Sequence, residues 1–572
     1  MDIRPPETLM PTLALRSLFA LVCLTTLAGF TQRAAAQATA AAATEATAAI
    51  DEIFARWSGD ATPGCAVGVT QYGEPVLERS YGMSDLEHGI ENAPGTIFEG
   101  GSVSKQFTSA AIVLLVLDGT LALEDDVREY VPELPDYGHT ITVHQLMTHT
   151  SGLRDWGSVA SISGWGRGDR SHDHDDVVDI LSRQTELNFE PGTEWSYSNS
   201  GYNLMAVIVD RVSGMSFADF SRERIFEPLG MIDTQWRANY RQIVPGRSTA
   251  YRRTREGWEI DRPIEYVHGN GGILSTIRDF ATWNDALTDG GPWGDRFLEL
   301  MHMEGVLVDG TPVGYAGGLF VGDLGGVASV THTGATAGYR AFLGRYPEQG
   351  LSVAMLCNAS NVSVGSIGAS VAREFLSNAV QDRPTPDYAV ASEGMDLRRY
   401  TGFFADPATG RPVALQLGDD GVLRVRTGTG STVTPLLPES ATRFQVGNTE
   451  NVYVFEQDGR QFPAFRVEDG QSIDRRYERV MPWRPTENDL EALSGTYHSE
   501  DAETTFVVEV VDGELTLWQR PNVRRSATPL YRDAFMLPGG PIVRFRRDGE
   551  GAVTELSMGI SRVYDMRFRR IE

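Results

Sequence analysis

Ser102 and Lys105 stand three residues apart at the head of an apolar segment, in the run Gly101-Ser102-Val103-Ser104-Lys105. On a helix that spacing puts both side chains on one face, about a turn apart. A serine hydroxyl is a poor nucleophile until a neighbouring base takes its proton. An amine that sheds its own proton on burial can be that base, and the helix N-terminus favours negative charge developing beside it. Composition singles out the same position. Of the 50 Lys and Arg residues, 49 are Arg and one is Lys, at 105. Arginine stays protonated at any working pH and cannot serve as a base, so the lone Lys points to chemistry that Arg cannot do. Compositional drift with one survivor is the plain alternative, and a Ser-x-x-Lys tetrapeptide by itself is a weak signal.

Two downstream segments can complete such a site. Tyr197-Ser198-Asn199 follows the turn Glu190-Pro191-Gly192. A phenol near a lysine can titrate lower than usual and pass protons, while the Asn199 amide can bind a substrate carbonyl. His332-Thr333-Gly334, with Ala335 following, reads as the end of a strand. An edge there can hydrogen-bond an extended substrate, with His332 holding a carboxylate or steering a proton. Each segment also has an ordinary reading, as an aromatic loop on a helix and as a satisfied structural histidine.

The elements that must position these groups follow from periodicity. Phe107, Ala110, Ala111, Leu114, Leu115 and Leu117 fall at helical spacing before Asp118-Gly119 ends the segment. A helix is expected over about 48–57, with short strands near 65–71 and 75–79. A helical, loop-rich middle extends to about 290. Strands return at 315–321, 339–346 and 351–357, and a helix over about 365–380 closes the unit. Strands at both ends with helices between them predict one mixed α/β domain whose sheet joins distant parts of the chain.

Asp382-Arg383-Pro384-Thr385-Pro386 opens a linker, 382–392. Beyond it, short alternating runs are broken by Asp-Gly at 420–421, 458–459, 469–470, 512–513 and 548–549, which are hairpin signals. Tyr400-Thr401-Gly402 corresponds to Leu493-Ser494-Gly495, Asp420-Gly421 to Asp512-Gly513, and Asp458-Gly459 to Asp548-Gly549. The repeat predicts two tandem all-β modules, 393–485 and 486–572, of a size that suits small barrels.

At 572 residues the chain exceeds a single core. Its net charge of −27 argues against nucleic acid as a partner, because phosphate would be repelled. Arg4 and Arg16 precede the apolar run Leu18 to Phe30, and Ala34-Ala35-Ala36 offers a cleavage site. This reads as a secretory signal over 1–36 and a periplasmic or secreted protein, with a catalytic unit over 37–381. Cys23 lacks the small residue before it that lipoprotein processing prefers, and no other stretch approaches the ~20 apolar residues of a spanning helix. Cys65 and Cys357 remain; an oxidising compartment permits a bridge, but two buried free thiols are the expectation. His172-Asp173-His174-Asp175-Asp176 reads as a solvated helix start rather than a zinc set, and His149 as a residue that orders its loop. Neither a metal nor an organic cofactor is expected.

Ser-x-x-Lys, Tyr-x-Asn and His-Thr-Gly in this order resemble the serine β-lactamase and penicillin-binding-protein superfamily. More narrowly, the chain resembles the class C β-lactamase-like group, which includes D-Ala-D-Ala carboxypeptidases, D-aminopeptidases and esterases. Leu146-Met147-Thr148-His149-Thr150-Ser151-Gly152-Leu153, Gly271-Gly272-Ile273 with Asp279, and His332 through Tyr339 support it, over about 45–380. The resemblance implies an antiparallel sheet with a helical subdomain and a Ser102 nucleophile. It implies that Lys105 and Tyr197 share acid–base work and that Asn199, His332, Thr333 and Gly334 bind substrate. The N–H groups of Ser102 and Ala335 would form the oxyanion hole. Many β-lactamases have Lys where this chain has His332, a weaker and pH-dependent carboxylate anchor. The implied activity is hydrolysis of short peptides, amides or esters with a D-residue. A small-molecule esterase, a weak β-lactamase and a β-lactam-binding sensor without turnover are the alternatives. D-aminopeptidases of this group share the layout of a catalytic domain and two β modules. By that resemblance a tail loop would reach the cleft and restrict it to short substrates with a free amine; the plain alternative is a tail that only stabilises.

Overall fold

The computed structural model describes residues 46–377, 379–381, 392–427, 433–447, 449, 451–458, 461–468, 475–560 and 562–572. The expected leader and almost all of the linker lie outside them. The catalytic sheet is built from β1 (Cys65–Gln71), β2 (Glu74–Tyr81), β3 (Phe320–Leu324), β4 (Val327–Thr336), β5 (Tyr339–Tyr346) and β6 (Leu351–Cys357). All pairs are antiparallel, in the order β3-β4-β5-β6-β1-β2. The chain's first strands therefore pair with its last one in this unit, as the split strand pattern predicts.

β1 and β6 are buried almost throughout, which their continuous apolar runs require. Six helices matter to the site: α1 (Ser104–Leu117), α2 (Trp156–Ser163), α3 (His174–Ser182), α4 (Asn199–Ser213), α5 (Ile277–Asp289) and α6 (Val364–Leu376). α5 packs on β1, where Gly68 leaves room for the Ile277 side chain, and α6 joins the core on the other side through Val371 and Ala372. α1 is buried from Ser104 to Leu115, the polar residues of its first turns included, and packs against α4. Asp173 caps α3 in a reciprocal box with Asp176, the role its position at a helix start suggests.

Two expectations need correction. Cys65 and Cys357 form a disulfide rather than two free thiols. The β1–β6 register makes them direct cross-strand partners, a relation that their separation of 292 residues conceals in the sequence. His332 lies inside a strand rather than at its end, because β4 continues in register with β5 as far as Thr336. The chain turns at Gly317-Gly318, with Gly318 at φ +76°, so the strand expected over 315–321 is shifted to Phe320–Leu324.

After the linker, eight strands from Gly402–Ala405 to Arg475–Val480 close a barrel. Nine more, from Gly495–Ser499 to Val563–Arg570, form one curled antiparallel sheet. Both modules start their first strand on the repeated glycines, Gly402 and Gly495. The second module docks on the helical subdomain. Arg154 Nη1 lies 2.8 Å from Asp501 Oδ2, and Gln519 Nε2 donates to the Ile162 carbonyl at 2.6 Å. Among the described residues no helix is long and apolar enough to cross a membrane.

Candidate active site

Ser102 sits in the tight turn Gly101–Val103 that leads into α1. Gly101 has φ +52°, and a Cβ there would come within 2.6 Å of the Ala335 nitrogen. A Cβ on Gly334 would land on the Gly100 carbonyl oxygen. The two glycines thus let β4 lie against the nucleophile turn and bring the Ala335 nitrogen to it. β3 pairs with β4 only from Val327 to Thr331, so His332 to Thr336 leave an edge that β3 does not cover. Phe98–Glu99 pairs with Ile273–Ser275, and the Ile273 N–H donates to Ser104 Oγ at 3.0 Å. That clasp carries the Asn270 loop to the head of α1.

Lys105 is fully buried. Its Nζ lies 3.3 Å from Ser102 Oγ, 3.0 Å from Asn199 Oδ1 and 2.7 Å from the Asn270 carbonyl. Burial pushes its amine well below the ordinary range; Arg562 and Arg167 add repulsion, against the pull of Asp155. An amine pushed toward its neutral form beside a hydroxyl is the pairing that the spacing predicts.

Tyr197 also pairs with Ser102, and Lys105 Nζ stands 4.8 Å from its ring centre. The expectation of a phenol titrating low does not hold. Burial pushes it up to about 12, outweighing the Ser102 hydrogen bond and Arg562. Tyr197 therefore keeps its proton and can donate it. Asn199 heads α4, its N–H donating to Asp155 Oδ2 at 2.8 Å and its amide oxygen facing Lys105. His149 takes a left-handed backbone, φ +61°, and packs 4.3 Å from the Tyr197 ring, ordering the loop beneath it.

His332 departs from its expected role. Nδ1 donates to the Thr333 carbonyl at 2.6 Å, which leaves Nε2 to accept from the Tyr315 hydroxyl at 3.0 Å. Burial, with Lys105 nearby, pushes it down to about 3. It is neutral through the working range and both nitrogens are engaged, so it is no pH-dependent carboxylate anchor. Thr333 lines the cleft; Gly334 serves the close approach instead.

The cleft has a volume of about 300 Å3, suited to small ligands. Ser102, Tyr197, Asn199, His332, Thr333 and Ala335 share its lining with residues that sequence reasoning missed: Arg167, Asn270, Phe320 and Arg562. Arg562 comes from the second tail module, so the tail does reach the cleft. Among the described residues, those lining the cleft include no carboxylate. No local pattern marks Arg562, because a hairpin turn in another module gains its place only through docking.

The family description "Beta-lactamase" matches residues 46–373. The chain is similar to a D-aminopeptidase of Cereibacter sphaeroides (strain KD131 / KCTC 12085), 26% identical over 524 residues, covering 87% of this chain and 94% of the relative. A penicillin-binding protein of Bacillus subtilis (strain 168) is 28% identical over 410 residues, covering 65% of this chain and 85% of that protein. Among solved structures, the octameric penicillin-binding protein homologue from Pyrococcus abyssi shares the fold with a TM-score of 0.50 at 21% identity, over 81% of this chain and 95% of that one.

Proposed function

The chain belongs to the beta-lactamase family and is a serine hydrolase, and from that premise we propose that it cleaves short peptides, amides or esters bearing a D-residue through an acyl-enzyme on Ser102. The observation that carries this reading is the buried Lys105 amine, 3.3 Å from the Ser102 hydroxyl and depressed toward its neutral form.

Lys105 Nζ takes the Ser102 proton as Oγ attacks the scissile carbonyl. The oxyanion is met by the N–H groups of Ser102 and Ala335, fixed dipoles that need no rearrangement. Tyr197, which holds its proton, passes it to the departing amine or alkoxide and recovers one from the Lys105 ammonium. Water then attacks the ester by the reverse route, with the same groups removing its proton and returning one to Ser102. Asn199 holds the Lys105 amine in place and offers the substrate its amide N–H. The named relatives support a D-residue at the scissile bond. The leader pattern and the disulfide support export to the periplasm or beyond.

The deciding experiment is intact-mass detection of an acyl adduct on Ser102, with turnover of D-Ala p-nitroanilide, a D-Ala-D-Ala tripeptide, p-nitrophenyl butyrate and a chromogenic cephalosporin side by side. Ser102→Ala should abolish adduct and turnover together. Residual turnover of any substrate at a substantial rate would end the assignment. A stable cephalosporin adduct without turnover of anything would instead favour the sensor.

A further inference from the structure

The last hairpin of the chain, Val553–Ile560 and Val563–Arg570, carries Arg562 into the cleft. Its main chain is clasped by the catalytic unit. The Arg562 carbonyl accepts from Asn188 Nδ2 at 3.0 Å and from the Asp155 N–H at 3.3 Å, while Asn188 Oδ1 accepts from the Tyr564 N–H at 3.0 Å. The guanidinium stands over the Tyr197 ring, 4.7 Å from its centre. It approaches Asp155 Oδ2 only to 3.7 Å, beyond hydrogen-bond range. That carboxylate already accepts the N–H groups of Asn199 and Ser158, at 2.8 and 2.9 Å. Among the described residues, no hydrogen bond from the Arg562 guanidinium is present, and its side chain is 36% exposed.

The other basic groups of the cleft are ion-paired or pushed toward their neutral forms. Arg167 places Nε and Nη2 on the two oxygens of Glu265, at 2.5 and 2.6 Å. Lys105 is depressed toward the free amine and His332 stays neutral. An anion entering beside Ser102 therefore meets, in Arg562, a guanidinium with no hydrogen bond of its own among the described residues, while the Arg167 charge is balanced by Glu265.

We propose that Arg562 is an anion subsite of this cleft, so that the preferred substrate carries a carboxylate close to its scissile carbonyl. The inference rests on the acyl-enzyme reading of the same cleft and narrows its substrate class. A guanidinium held by its main chain and stacked on an aromatic ring presents a planar fork that matches a carboxylate bidentately. The same charge repels a substrate ammonium, which sets this cleft apart from one built for a free amine. The tail module acts here as a specificity element, not only as ballast for the fold.

The test reads binding without turnover. Calorimetry on the Ser102→Ala protein compares N-acetyl-D-alanine with N-acetyl-D-alaninamide, which differ only in the charged group. The carboxylate ligand should bind about tenfold tighter or better. Adding Arg562→Gln should bring the ratio to about one, and Arg562→Lys should retain part of it. Equal affinities in the parent protein, a preference that survives Arg562→Gln, or no binding of N-acetyl-D-alanine would each overturn the proposal. Since no acylation is required, failure of the catalytic reading appears separately, in the adduct experiment.

Discussion

The Lys105 nitrogen lies 3.0 Å from the amide oxygen of Asn199, across 94 residues of sequence. The partner is a neutral acceptor. It holds the amine in place without supplying the negative charge that would keep it protonated. Asn199→Asp puts a carboxylate at the same distance and favours the ammonium. The expected outcome is an acid limb of kcat/KM displaced to higher pH, with activity at neutral pH reduced and partly recovered in alkali. A pH–rate profile of the variant checks this; an unmoved limb would take Lys105 out of the titration.

Lys105→Arg keeps a cation but removes the base. The larger planar group also meets a pocket already filled by the Asn199 amide and the Asn270 carbonyl. Acylation should fall by at least ~10²-fold, as read by single-turnover kinetics on p-nitrophenyl butyrate.

Stability should fall on the acid side. Burial pushes His332 and His268 down to about 3 from an ordinary 6.5. The folded values are depressed, so between these limits the unfolded chain binds more protons than the folded one. The contribution is fully present above about pH 6.5 and is lost as pH falls toward 3. Melting temperature across that window should decline, and His332→Gln should make the decline shallower; an identical slope would remove His332 as a source.

Gly334→Ala drives a methyl group onto the Gly100 carbonyl and pushes β4 away from Ser102. A loss of about 1–3 kcal/mol is expected, from strain at a close-packed contact. Because the Ala335 nitrogen moves with the strand, kcat should fall more than KM rises. Denaturant unfolding and steady-state kinetics on one preparation separate the two effects.

Reduction of the Cys65–Cys357 bridge, or replacement of both residues by Ala, should cost about 2–5 kcal/mol. The bond closes most of the catalytic unit into one loop. Thermal unfolding with and without reductant measures the loss; the double Ala variant should start from the lowered stability and show no further change with reductant.

Much of the site was legible because its parts are local. Ser102 and Lys105 share a helix face by spacing alone, and Tyr197 with Asn199 sit where a turn hands over to α4. The repeat from Gly402 to Gly495 marks both tail modules in the sequence itself. The misses are relations between distant segments. The disulfide depends on the β1–β6 register, the state of His332 on Tyr315 and the Thr333 carbonyl, and Arg562 on the docking of one module against another. Tyr197 departs for the same reason: a charged lysine draws a phenol down, but burial disfavours the charged forms of both groups and outweighs it.

The order of strands has a consequence for the chain as it leaves the ribosome. The hairpin of β1 and β2 emerges early, yet the neighbour that covers its inner edge ends at Cys357, after more than half of the protein has been made. Until then an apolar strand stands with unpaired backbone groups, a template for pairing with other nascent chains. Closure over so long a separation is slow, so productive yield should depend on chaperones that shield the edge while the middle of the chain is still being synthesised.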